Sequence, residues 1–207
     1  MALSNYSDLK QSVINWSHRN DMDLLIDDFI ALTEADMFIT DEFHEGLELR
    51  DMEGTATGAL SGNTLALPSG FLSMRSMRLT GDYGRDLLPK TPDTLVHRTG
   101  TGLPKYYAIR DTVEFDIIPD SGYAYELVYF SKPTGLSTSN TTNSVLTKYP
   151  MIYLFGCLYH LFTYADDEAQ ANKYLRRYAS AINGANALDE DARFGNAPYA
   201  RIQGVTP

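Results

Sequence analysis

The chain has 207 residues, 43% hydrophobic and 21% charged, which suits one large domain, or a compact domain with an insertion, and is enough for a real hydrophobic core. This composition excludes a disordered, collagen-like or disulfide-built chain. The formal net charge is −10, and residues 1–53, with 13 acids against 3 bases, carry all of it, so the basic footprint that sequence-tolerant DNA binding needs is lacking.

Residues 6–18 read as an amphipathic helix, because Tyr6, Leu9, Val13 and Trp16 recur at spacings of three and four. No basic and apolar leader opens the chain, so no signal peptide is expected. Asn20 is the expected N-cap of a second helix with the stripe Met22, Leu25, Phe29 and Leu32, ending near Ile39 or Thr40. Asp23, Asp27 and Glu34 fall on its wet side. An acidic face of this kind is either a solvated surface or one that meets a basic partner or repels a polyanion.

After Gly46 the pattern turns to strands. Leu47 and Leu49 alternate with polar residues, and Thr64–Leu67, Met74–Leu79 and Asp86–Leu88 are short strand candidates. Thr94–His97 reads as one helical turn. Tyr106–Arg110 is a strand, and Val113, Phe115 and Ile117 alternate with Glu114 and Asp116 as a half-buried antiparallel strand does. Pro119-Asp120-Ser121-Gly122 is a turn, and Tyr123–Phe130 the next strand, so a β-meander is expected here. Tyr123, Tyr125 and Tyr129 share one strand face, which suits either packing on its own core or a subunit contact.

Helical period returns after the polar loop 137–143. Tyr149–Ala165 is apolar nearly all round, as the central helix of a bundle would be, yet it is shorter than the roughly 20 residues that cross a bilayer. Asp166 and Asp167 open a last helix whose buried stripe is Ala171, Tyr174 or Leu175, Tyr178, Ile182 and Ala185, weakened by Gly184. From Asp191 the period is lost. The expected class is therefore α+β: N-terminal helices (residues 1–45) and C-terminal helices (136–190) form one bundle, an antiparallel β-rich region (46–135) is inserted, and 191–207 is an extended tail.

No motif carries chemistry. The four histidines, His18, His44, His97 and His160, lack the spacing of a helical metal site. Glu42, His44 and Glu45 form the best metal cluster available, and a helix end or loop explains them as well. Asp166-Asp167-Glu168 is an ordinary acidic helix start. No Walker loop, Rossmann fingerprint or nucleophile elbow is present. The single cysteine, Cys157, lies in an apolar run and reads as a small core residue rather than a reactive thiol, made in a reducing compartment. Neither cofactor, metal nor catalytic residue is expected. A carboxylate pair distant in sequence stays open, and with it the alternative of a virion-associated cell-wall hydrolase.

Several segments, spanning roughly residues 15–180, resemble the head-to-tail adaptor (connector) proteins of tailed bacteriophages. They are Trp16-Ser17-His18-Arg19-Asn20-Asp21, Phe29–Ala35, Arg50-Asp51-Met52-Glu53, Leu67–Leu72, Gly102–Ile109, Tyr129–Pro133, Thr142–Pro150 and Ala165–Glu168. Gly70 departs from the pattern, which often has an acid there. The resemblance implies a non-enzymatic structural protein of the virion neck, made in the host cytoplasm. It implies a ring of about twelve copies between the portal protein and a tail or nozzle protein, through which DNA passes without specific binding and without a membrane. It also implies that the C-terminal segment reaches the portal. Phe194, Tyr199, Arg201 and Ile202 are then the expected portal-docking residues, since the tail has no period that would bury them locally.

Overall fold

A computed structural model describes residues 3–194. The fold is α+β, as expected, and divides into two units. One joins the residues up to Arg50 to those from Pro133 onward; the other is Asp51–Lys132.

The first unit is helical. Helix α1, Tyr6–Ser17, starts at Asn5, whose side chain accepts from the Asp8 amide at 2.9 Å. Tyr6, Leu9 and Val13 are buried, whereas Trp16 stays 41% exposed, its ring T-shaped to that of Phe155. Residues Asn20–Leu25 form a 3-10 helix, and α2 follows as Ile26–Asp36, shorter than expected. A 3-10 turn advances about 120° per residue against about 100° in an α-helix. The buried face therefore rotates to Met22, Ile26, Phe29, Ile30 and Thr33, and Leu32 is left outside. Glu34 is not on the wet side. Its Oε1 accepts from the Leu136 amide at 2.7 Å and the Tyr153 hydroxyl at 2.9 Å.

The short helix α3, Ser144–Lys148, is capped by Asn143, and Pro150 opens α4, Pro150–Tyr164, where its missing donor costs nothing. Helix α4 is the centre of the bundle and packs against α1, α2 and α5, Glu168–Phe194. Ile152, Leu154, Cys157, Leu158 and Leu161 are fully buried, each large aliphatic worth about 1.5–3 kcal/mol. Gly156 permits the close approach of α2, because a methyl there would run into the Thr33 side chain and the Tyr178 ring. Helix α5 buries Ala171, Tyr174, Tyr178, Ile182 and Ala185. It continues to Phe194, so residues 191–194 are helix rather than the start of an extended tail.

The second unit holds two four-stranded sheets. The strands are β1 Glu53–Ala59, β2 Thr64–Ala66, β3 Phe71–Leu79, β4 Arg85–Asp86, β5 Leu88–Pro89, β6 Tyr106–Ile109, β7 Thr112–Phe115 and β8 Ala124–Ser131. The first sheet runs β1-β8-β3-β4 and the second β2-β7-β6-β5, antiparallel throughout except for the β5–β6 pair. Met77, Leu79 and Leu127 from one sheet meet Tyr107, Val113 and Phe115 from the other in a common core. Tyr129 and Tyr125 lie over Gly54 and Gly58, their cross-strand partners, so here the tyrosines pack within their own sheet.

The expected meander does not form. β6 and β7 pair as a hairpin, but β8 leaves for the other sheet and lies between β1 and β3. Asp116, which alternation places in solvent, is buried. Its carboxylate accepts from the amides of Lys105 and Tyr106 at 2.9 and 3.2 Å and pairs with Arg98 at 2.7 Å. β7 ends at Phe115, two residues before Ile117, and the chain passes through Pro119 to β8 in the other sheet. The expected helical turn at Thr94–His97 is instead a turn over 92–94, closed by the Leu95 amide on the Thr91 carbonyl.

Candidate functional site

Leu47 and Leu49 are both buried, yet their segment is no strand and belongs to no sheet. Side chains of α5 stand in for a neighbouring strand. Asn183 takes the Glu45 amide and donates to the Phe43 carbonyl, at 3.4 and 3.3 Å. One turn on, Asn186 takes the Glu48 amide and donates to the Gly46 carbonyl, both at 3.1 Å. Asp189, buried, accepts from the Arg50 amide at 2.9 Å and from Arg193 Nε at 2.7 Å. The spacing of three keeps these groups on one face of α5. The other side of that helix is thereby free to form a surface of its own.

That surface is a groove of about 620 Å³ between the start of α4 and the second half of α5. Ile152, Phe155, Ala181 and Ala185 make its floor, and Gly184, with no side chain, leaves it open. Met151 and Leu188 stand at its rim, 45% and 63% exposed. Every charged residue that lines it is basic: Lys148, Arg176 and Arg177. The Arg177 guanidinium lies over the rings of Phe155 and Tyr174, 5.7 and 5.6 Å from their centroids, so a cation is held at the wall of an apolar trough.

The outer side of α2 has the opposite character. Leu32 is 50% exposed on it, beside Asp27, Asp28 and Ala31, all exposed, and Leu24, in the 3-10 helix that leads into α2, is 92% exposed. Asp27 is engaged, accepting from Tyr6 at 2.6 Å and pairing with Lys10 at 2.8 Å.

The residues weighed for chemistry do not assemble. His44 is buried, its ring edge-on to Tyr178 with centroids 5.3 Å apart, while Glu42 and Glu45 are exposed. Asp41 shapes that loop. Burial opposes its charge, but the amides of His44 and Phe43, donating at 2.9 and 2.7 Å, hold its carboxyl below the usual range. Asp167 accepts from the Gln170 amide at 3.1 Å as the cap of α5, and Asp166 takes the left-handed conformation of the α4–α5 turn. Cys157 is buried and its thiol is pushed up to about 12, by burial first. No group of three metal-ligating side chains is found among the described residues. Of the expected portal-docking residues, Phe194 is the last residue of α5, and Tyr199, Arg201 and Ile202 lie outside the described residues.

The described residues thus make an α+β chain with an inserted β-rich unit and exposed apolar surfaces of opposite charge. Among known families, the SU10 adaptor protein model matches residues 4–201, and the chain belongs to that family, one of phage head–tail adaptors. No curated protein matches the sequence. No helix among the described residues is long and apolar enough to cross a membrane.

Proposed function

We propose that this chain forms a ring of about twelve copies beneath the phage portal, joins the capsid to a tail or nozzle protein, and surrounds the DNA passage without catalysing a reaction. Membership of the adaptor family over nearly the whole length carries this reading. The absence of charge excess outside residues 1–53, and the acidic excess within them, suits a wall past which DNA slides without adhering. The virion neck is its proposed location. Assembly is ordered in this reading: the free chain is a monomer or weak oligomer, and closes into a ring only on the portal.

The test is to mix the purified chain with the portal protein encoded by the same genome and to measure mass and symmetry by native mass spectrometry and electron microscopy. Closed rings on the portal are expected, with no clearing of peptidoglycan by the chain alone. Absence of rings with portal present refutes the adaptor role, stable rings without it refute the ordering, and peptidoglycan clearing restores the hydrolase reading.

A further inference from the structure

We propose that the groove between α4 and α5 receives the outer face of α2 from a second copy of this chain, so that one contact, repeated head to tail, builds the ring. The inference rests on the adaptor reading above and assigns its subunit contact to named residues.

Two surfaces of the same unit carry it. Lone exposed leucines mean little, since much of any protein surface is apolar. Here the exposed apolar groups lie in a built trough and along a helix face, each with charge of a single sign. The groove offers Met151 and Leu188 beside Arg176 and Arg177. The α2 face offers Leu32 beside Asp28, with Leu24 exposed in the 3-10 helix just before it. Arg176 and Asp28 are exposed, and neither has an ion-pair partner among the described residues. An amphipathic helix laid in an apolar groove is a common recognition mode, with anchors three, four or seven residues apart.

A single copy cannot satisfy itself. Ile26, Phe29, Ile30 and Thr33 are the buried side of α2, which packs on α4. Asp28 and Leu32 therefore point away from the helix that makes one wall of the groove, and Leu24, just before α2, is exposed as well. Two different patches that complement each other form a heterologous contact, which generates a ring when its rotation closes. Opposite charge also fixes the polarity of that contact, because groove against groove would oppose like charges.

The test uses the full-length chain assembled on its portal. One copy carries Leu24→Cys and a differently tagged copy carries Leu188→Cys; a short bis-maleimide then reports their proximity. Native Cys157 is buried and leaves the background clean. We expect cross-links between differently tagged copies. Arg176→Glu and Asp28→Arg, both at exposed positions, should each weaken assembly by about tenfold or more, and the two changes in one chain should restore it. Rings of normal mass with no such cross-link, and with neither charge change felt, overturn the proposal and leave the adaptor reading standing. Cross-linking of the Leu188→Cys copy to portal instead overturns it in favour of a portal segment in the groove. Failure of the unaltered chain to form rings removes the adaptor reading itself.

Discussion

The hydroxyl of Tyr153 donates to Glu34 Oε1 at 2.9 Å, joining α4 to α2 across 119 residues of sequence. The same carboxylate oxygen accepts from the Leu136 amide, and Asn143 donates to the Tyr153 oxygen at 2.7 Å. One acidic side chain thus ties the second helix, the loop that returns from the β unit, and the central helix. Tyr153→Phe keeps the ring and removes only the donor. It should cost about 1.5–3 kcal/mol in urea unfolding, the range for a hydrogen bond to a charged group. A loss below about 0.5 kcal/mol would show the network to be dispensable.

Gly156→Ala is expected to destabilise by about 1–3 kcal/mol, because the added methyl meets Thr33 and Tyr178 in a packed core. Gly184→Ala, on the open floor of the groove, meets nothing and should stabilise slightly through helix propensity. Equal effects from the two changes in thermal unfolding would contradict the packing described.

Stability should fall on mild acidification because of His160. Burial holds its imidazole below the ordinary value of 6.5, and Asp36, with Oδ2 3.8 Å from Nε2, offsets this only in part. Above 6.5 the ring is neutral in both folded and unfolded chains. Below it the unfolded chain takes up a proton that the folded chain refuses, so stability declines until the folded value is passed. Carboxylates held below 3.8, such as Asp41, lose their contribution only at more acid pH. Tm should drop between about pH 7 and pH 5, and His160→Gln should flatten that slope; an unchanged slope would assign the effect elsewhere.

Cys157 should resist iodoacetamide in the folded chain at about pH 8, since the thiol stays protonated and buried. Mass spectrometry should show one added group only after urea. Modification of the native protein would mean that the α2–α4 contact opens.

Removing residues 195–207 should leave Tm nearly unchanged and sharply weaken portal binding in pull-downs at several salt concentrations. Truncation from 191 should also cost stability, because it removes Arg193, which bonds to Asp189 and to the Glu48 carbonyl at 3.4 Å. Full portal binding by the shorter chain would end the docking role proposed for Tyr199, Arg201 and Ile202.

The helical unit was legible wherever burial follows local period. Tyr149–Ala165 is apolar nearly all round because α4 is packed by α1, α2 and α5 over most of its surface, and the Ala171–Ala185 stripe of α5 is the face it buries. What escaped were long-range choices. Nothing local in Val113–Ile117 and Tyr123–Phe130 reveals that Asp116 is a buried anchor and that β8 pairs elsewhere. Leu47 and Leu49 carry a strand pattern, while the polar backbone groups of their neighbours Gly46 and Glu48 pair with the Asn186 side chain on α5. The groove had no signal of its own beyond Gly184, which looks like a weak point of a helix until its neighbours are known.

Strands β1 and β8 are adjacent and antiparallel, with Glu53 opposite Phe130 and the Ser131 hydroxyl donating to the Met52 carbonyl at 3.3 Å. The chain therefore leaves the helical bundle and rejoins it through two backbones about 5 Å apart. For the helices, everything between is a handle whose two roots are already touching. Lengthening or trimming the handle changes the entropy of closing it only slowly. Such an insert can be exchanged for another, or spliced out with a few flexible residues, while the bundle keeps its register. A change in the length of the β unit should thus cost the helical scaffold little.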